Sequence, residues 1–345
     1  MQRTGVAFWG GMSVNEFTGC VQLAERRGYE SAWLIESYAD IFTVLGSVAA
    51  VTSSIKLATG VTTIFTRNPT TIGIAAATLD SISNGRCVLG LGVGHKEIHA
   101  VRDNPDHNVP FEKPRQRLRE TTEITQKIVY SAHHNQSVSY EGTVFSFENY
   151  EPWFTSFRDR LPIYFAALTK GTMELAGEIA DGIVLVFFPM EKIAEVREHV
   201  ASGAARAGRN AESVDIASFI PVCVSDDDKE AYKSLSYMLS KHIFSFAYYQ
   251  NYFRGVGFGE QVDGVLNAMQ DGDKHIAAEH VSREMVDAVG VGGTAKKCRE
   301  RIEEYRDAGL TLPIIYPVYP GYTTYGPDTL ANAGIRQAID DLGQQ

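Results

Sequence analysis

Short apolar runs alternate with longer stretches whose apolar positions recur at helical spacing through most of the chain. Eight runs read as strands, at 4–8, 31–35, 56–62, 87–91, 163–166, 182–186, 215–224 and 312–316. The helices between them carry their own punctuation. Ser13 with Glu16 three residues on forms a capping box before a helix that ends near Arg27 and Gly28, and Thr294 to Gly309 follows the same logic. The Ala-rich stretch from Thr70 to Ser83 reads as a buried helix, with Pro69 in its first turn, where a missing N–H costs nothing. Strand–helix alternation with eight strands in 345 residues predicts an α/β fold of the (β/α)8 TIM barrel type, a closed barrel and not an open sheet.

Two segments break the alternation. Residues 131–160 hold Tyr140-Glu-Gly-Thr-Val-Phe-Ser-Phe147 between polar flanks, the pattern of a small inserted hairpin; residues 240–290 hold clustered aromatics, then more helix. Insertions of this kind belong at the C-terminal mouth of a barrel, where they shape the substrate pocket. With no linker rich in Pro, Gly and Ser, residues 1–345 read as a single domain.

Composition narrows the partners. A formal charge of −10 and the absence of a Lys/Arg-rich run argue against nucleic acid and against anionic membrane, leaving a small-molecule substrate. Cys20, Cys87, Cys223 and Cys298 lie far apart and form no C-x-x-C pair, so they read as reduced core thiols in a cytoplasmic protein. The N-terminal stretch is too poor in apolar residues for a signal peptide, and no run approaches the length of a membrane span.

Chemistry concentrates between residues 56 and 97. Two strands there end in small-residue turns, and glycines at 90, 92 and 94 leave bare backbone for a flat ligand or a phosphate; close packing between strands is the other reading. The run G-x-G-x-G lies inside a strand and lacks the spacing of a dinucleotide fingerprint. Thr169 and Lys170 open a helix, either as an ordinary cap with a solvated lysine or as an anion site made of free N–H groups. His95 and His99 are four apart, but no carboxylate completes a metal motif, so no metal is expected; no G-x-S-x-G elbow is present. Phe8 and Trp9 end the first strand and Phe187 ends the sixth, positions suited to a substrate wall.

Trp33-Leu-Ile-Glu36-Ser37, Leu57-Ala-Thr-Gly-Val61, Thr66-Arg-Asn-Pro69, Thr78-Leu-Asp-Ser-Ile-Ser-Asn-Gly-Arg86, Leu89-Gly-Leu-Gly92 and Leu175-Ala-Gly-Glu-Ile-Ala-Asp-Gly182 together resemble the bacterial luciferase-like superfamily. Within it the chain is most similar to the methylenetetrahydromethanopterin reductase branch of coenzyme F420-dependent oxidoreductases, and the likeness runs from Gly5 to about Val318. The resemblance implies a deazaflavin or flavin lying across the barrel mouth. It places Glu36 beside the ring, a non-proline cis peptide at Gly60-Val61 beneath it, and Thr62 and Thr63 at its polar edge. Gly92, Val93, Gly94 and His95 would approach from the fourth strand, and Ala167, Leu168, Lys170, Gly171 and Thr172 would hold the phosphate.

The implied reaction is hydride exchange between the deazaflavin C5 and an apolar or pterin-like small molecule, with His95 and Glu36 as catalytic residues; an imidazole titrates near neutral pH, and a histidine that only hydrogen-bonds the loop or the cofactor is the other reading of His95. An FMN-dependent monooxygenase using reduced flavin and oxygen is the alternative on the same barrel, and a non-catalytic flavin-binding protein is the second. Sugar-phosphate dehydrogenases of the superfamily place a histidine and a glutamate where this chain has Ser37 and His95, and the greasy Val186-Phe-Phe-Pro189 offers nothing to a phosphorylated sugar. The resemblance also implies a homodimer or higher homo-oligomer.

Overall fold

The computed structural model describes residues 3–8, 12–36, 39–94, 109–323 and 329–343. It resolves into two compact units: Met1–Gly10, Tyr29–Leu185 and Ala194–Ala217 form the first, and Gly11–Gly28, Val186–Ile193 and Ser218–Gln345 the second.

In the first unit β1 (Gly5–Phe8), β2 (Ser31–Leu34), β3 (Lys56–Thr59), β4 (Thr62–Thr63) and β5 (Cys87–Gly92) lead to a hairpin, β6 (Val138–Glu141) and β7 (Ser146–Tyr150), then to β8 (Ile163–Ala166) and β9 (Gly182–Val186). Strands β1, β2, β3, β5, β8 and β9 pair in parallel in chain order, and β4 pairs with β5. β10 (Asp215–Val224) runs into the second unit, where it pairs in parallel with β11 (Val291–Gly293) and lies beside β12 (Leu312–Pro317). In order and direction these strands and their helices are those of a (β/α)8 barrel. All eight expected strands are present. The third is split into β3 and β4, and β11 is an addition that three residues gave no periodicity to reveal.

Local chemistry sets the connections. The helix α1 (Val14–Arg26) has the full capping box, with the Glu16 N–H on the Ser13 hydroxyl at 3.3 Å and the Ser13 N–H on the Glu16 carboxylate at 2.9 Å. α2 (Ile41–Ala49) and α3 (Pro69–Ile82) are capped by Asp40 and Asn68. After α3 the chain reverses through Asn84 and Gly85, both at positive φ, which delivers Arg86 under the end of α2. Its guanidinium donates to the carbonyls of Ala49, Ile55 and Thr52 at 2.8 to 3.0 Å, closing acceptors that a helix end leaves open. The Ser-Asn-Gly-Arg86 signature is therefore a structural latch.

A long helix, α4 (Pro114–His134), supports the hairpin. Ile124 and Ile128 of α4 and Val138 take the hairpin's Tyr140, Phe145 and Phe147 against them. The tip is held by one carboxylate. Glu120, only 1% exposed, accepts from the N–H groups of Thr143 at 2.7 Å and of Val144 and Phe145 at 2.9 Å, and from the Gln116 amide at 2.8 Å. The segment returning from the hairpin is pinned in turn by Arg158, which makes a forked pair at 2.7 and 3.0 Å with Asp80, fully buried at the end of α3.

The next helices are α5 (Lys170–Ile179) and α6 (Ile193–Arg206). In the second unit, residues 228–289 are almost wholly helical: α7 (Asp228–Ser245), α8 (Ala247–Gly255), α9 (Gly259–Gln270), α10 (Lys274–Glu279) and α11 (Arg283–Val289). α12 (Ala295–Asp307) and α13 (Thr329–Leu342) complete the chain. The four cysteines are free and buried, and burial pushes the Cys20 thiol up to about 11 and those of Cys223 and Cys298 to about 12. No helix among the described residues is long and apolar enough to cross a membrane.

Burial alone would raise the Glu120 carboxyl, but the Gln116 amide and the three turn N–H groups outweigh it and hold it below the usual carboxylate range. A depressed folded-state value stabilises the fold above the unfolded carboxyl value of about 4.3, and that contribution is lost as pH falls through the folded value. Replacing Glu120 with Gln should cost about 2 kcal/mol in urea denaturation at pH 7 and flatten the acid limb of the stability curve. An unchanged acid limb would mean that the carboxylate does not hold the tip.

Candidate cofactor cradle

The cradle begins with a slip of one residue. Leu57 and Ala58 of β3 pair with Cys87 and Val88, whereas Thr62 and Thr63 of β4 pair with Leu91 and Gly92, so the β3–β4 side carries one extra residue against β5. The slip falls at Thr59-Gly60-Val61, and the Gly60–Val61 peptide is cis, where the resemblance placed it. Thr59 bridges the break: its hydroxyl donates to the Gly90 carbonyl and accepts from the Gly90 N–H, both at 2.8 Å.

For the glycines of β5, the close-packing reading has direct support at two positions. A Cβ on Gly90 would strike the Thr59 carbonyl, and one on Gly92 would lie 2.6 Å from Val61 Cγ2. The space they leave is filled by the bulge, so close packing accounts for Gly90 and Gly92. Val93 and Gly94 follow directly, Gly94 exposed with φ of 68°.

Glu36 stands two residues past β2. Its Oε2 accepts the Thr63 N–H at 3.2 Å and its Oε1 forms an ion pair with Arg67, whose guanidinium also pairs with Asp40, the cap of α2. One arginine thus ties together the end of β2, the exit from β4 and the starts of α2 and α3. Burial pushes the Glu36 carboxyl up, opposed by Arg67 and the Thr63 N–H. Of the donors expected for a ring edge, the Thr63 N–H is already engaged. The Thr62 hydroxyl is buried with no partner among the described residues.

After β8, the Ala167 N–H reaches the Val184 carbonyl at 3.4 Å and Leu168 leads to Thr169, which caps α5 by accepting from Thr172. Lys170 is 69% exposed and pairs loosely with Glu174 at 3.8 Å, which by itself is the ordinary reading of a solvated lysine. The neighbour that the sequence did not reveal is Arg115 of α4. A Cβ on Gly171 would lie 2.8 Å from its guanidinium, so Gly171 lets a second cation sit on the first turn of α5. Arg115, Arg119 and Arg206 line a cleft of about 330 Å³ with Glu174 and Glu178. The two glutamates are paired with Arg119 and Arg206, and Arg115 has no ion pair among the described residues.

Four other expected residues remain. His95 and Trp9 lie outside the described residues. Phe8 is buried in β1. Phe187 belongs to the second unit, where its ring, carried on a backbone with φ of 45°, packs edge-on against His242 at 4.6 Å and Tyr316 at 5.0 Å.

A parallel barrel whose third strand slips against a glycine-relieved fourth, with a carboxylate two residues past the second, places the chain among (β/α)8 barrel proteins. The chain belongs to the luciferase-like monooxygenase family, whose model matches residues 2–312. It is 27% identical to the 5,10-methylenetetrahydromethanopterin reductase of Archaeoglobus fulgidus over 90% of this chain and 91% of that one. It is also 27% identical to a putative coenzyme F420-dependent oxidoreductase of Mycobacterium tuberculosis, over 90% and 93% of the two chains. The solved structure of the coenzyme F420-dependent tetrahydromethanopterin reductase from Methanopyrus kandleri superposes with a TM-score of 0.83 at 23% identity, covering 99% of this chain and 97% of that one.

Overpacking at the slip should be costly. Gly92→Ala is expected to lower stability by about 1–3 kcal/mol in chemical denaturation, and the double change Val61→Ala with Gly92→Ala to recover part of that loss. Strict additivity of the two changes would show that the side chains do not compete for one space.

Proposed function

We propose that this protein is an oxidoreductase that binds coenzyme F420 and exchanges a hydride between the deazaflavin C5 and an apolar or pterin-like small molecule. The observation that carries the reading is the slip at Thr59–Val61 with its cis peptide, set beside Glu36, in a chain related over nine-tenths of its length to a methylenetetrahydromethanopterin reductase and to a putative coenzyme F420-dependent oxidoreductase. The residues present fit such a group. Val61 is only partly covered by the protein, the buried Thr62 hydroxyl lacks a partner among the described residues, and the first turn of α5 has its own Lys170 and the guanidinium of Arg115 from α4 for a phosphate.

When bound, the deazaflavin would supply the two-electron hydride chemistry. The protein's part is to position and to move a proton. Gly60, Val61, Thr62 and Thr63 would support the ring, with Gly92, Val93 and Gly94 beside them. Glu36, oriented by Arg67, would accept a hydrogen bond from the ring edge. Ala167, Leu168, Lys170, Gly171 and Thr172 would hold the phosphate with Arg115. His95 would transfer the proton, and Phe8 and Trp9 would wall the substrate. Four buried free thiols are in keeping with a reducing cytoplasm.

Separate titrations of the purified protein with F420 and FMN test the reading: F420 should bind at least about tenfold more tightly, and Arg67→Met should weaken F420 by about tenfold through loss of the fixed Glu36 orientation. Tighter FMN binding with oxygen consumption by the reduced complex would make the protein a monooxygenase.

We also infer self-association through α2 and α3. Their solvent-facing positions, among them Thr43, Ser47, Thr71, Ile74, Thr78 and Ile82, carry no charge, in a chain with 21% charged residues. Sedimentation equilibrium should give a dimer or larger at micromolar concentration, and Ile74→Glu should shift it toward monomer. A wild-type monomer would overturn the inference.

A further inference from the structure

Arg117 stands in the first turn of α4, with its guanidinium between two phenyl rings, 5.0 Å from the centre of Phe65 and 4.9 Å from that of Phe145. Phe65 follows β4 and stacks on Phe111 at 4.6 Å; Phe145 closes the hairpin tip that Glu120 holds. The rings come from segments fixed by other contacts, so the position of the guanidinium is set in advance.

What it lacks is an acceptor. Among the described arginines that are not exposed, Arg3, Arg67, Arg119 and Arg158 donate to carboxylates, Arg86 and Arg209 to carbonyls, Arg301 and Arg306 to neighbouring glutamates, and Arg336 meets Cys20. The Arg117 guanidinium makes no hydrogen bond or ion pair among the described residues. Its Nε is buried, and its two terminal nitrogens keep some access to solvent. Glu120 is the nearby carboxylate, but its oxygens are taken by the hairpin tip and Gln116. Burial pushes Arg117 downward, yet a guanidinium stays charged at any neutral pH. Aromatic faces relieve part of the lost hydration and leave the donor fork unsatisfied.

We propose that Arg117 is a recognition residue for a carboxylate carried by a small molecule bound to the first unit. A planar fork set against two rings matches the planar, two-oxygen geometry of a carboxylate and fits a lone spherical anion poorly. Two sources share this chemistry: an acidic tail on the cofactor and an acid group on the substrate. The site is independent of the F420 reading, since it requires a carboxylate and no ring.

Thermal unfolding of the whole protein titrated with glutarate, against chloride at equal ionic strength, tests the proposal. Glutarate should raise the Tm of the wild type. Arg117→Met, which keeps the stem between the rings, should weaken the apparent affinity about tenfold, and Arg117→Lys should fall between. No glutarate response in the wild type, or an equal response in Arg117→Met, overturns the proposal; Arg117→Lys keeps the comparison if the methionine variant does not fold. Binding of F420 and of its tail-free deazaflavin alcohol then separates the sources. If Arg117→Met weakens F420 alone, the carboxylate belongs to the cofactor; if glutarate recognition is lost and both deazaflavins bind as before, it belongs to the substrate. A wild type that binds neither deazaflavin but responds to glutarate would sink the functional reading and leave this one standing.

Discussion

The one-residue slip between β3 and β5 is the constraint from which the rest of the cradle follows. A parallel ladder cannot absorb an extra residue without losing hydrogen bonds. Here the Thr59 side chain takes both Gly90 backbone groups, so these two stay paired at the break. Past the slip, the Thr63 N–H is presented to Glu36, and Glu36 fixes Arg67. Arg67 then reaches the cap of α2 and sits one residue before the cap of α3. A packing event within the sheet thereby sets the charge arrangement around its end.

Buried carboxylates elsewhere play a related part. Asp80 and Glu120 are both withdrawn from water, and each is surrounded by donors from a connection: Arg158 and the Cys87 N–H for Asp80, the hairpin tip for Glu120. Removing one partner of such a set leaves an uncompensated charge, which costs far more than the set contributes. These groups therefore specify where a loop must go more than they add to net stability.

The architecture was legible because the strands of a parallel sheet are continuous apolar runs and its helices are punctuated by Ser13, Asn68, Thr169 and Thr294. The cis peptide was legible only through family resemblance, since no periodicity marks it. For the β5 glycines two readings stood open, because a sequence shows that a side chain is missing but not which neighbour fills the space. Arg67, Arg115 and Arg117 were passed over because an arginine in a polar stretch looks solvated until its partners, distant in the chain, are placed around it. Glu120 falls among the many charged residues of α4, where helical periodicity cannot distinguish a buried carboxylate from an exposed one.

The crowding at the slip also bears on how such a sequence can change over time. Residues 61, 90 and 92 share one small volume, so the size permitted at each depends on what the others hold. A drifting lineage could enlarge position 92 only after shrinking position 61, and the order of those steps would matter because the reverse order passes through an overpacked intermediate. Gly90 has no such escape, since it faces a main-chain carbonyl that no substitution can trim. Position 90 should be frozen while positions 61 and 92 covary.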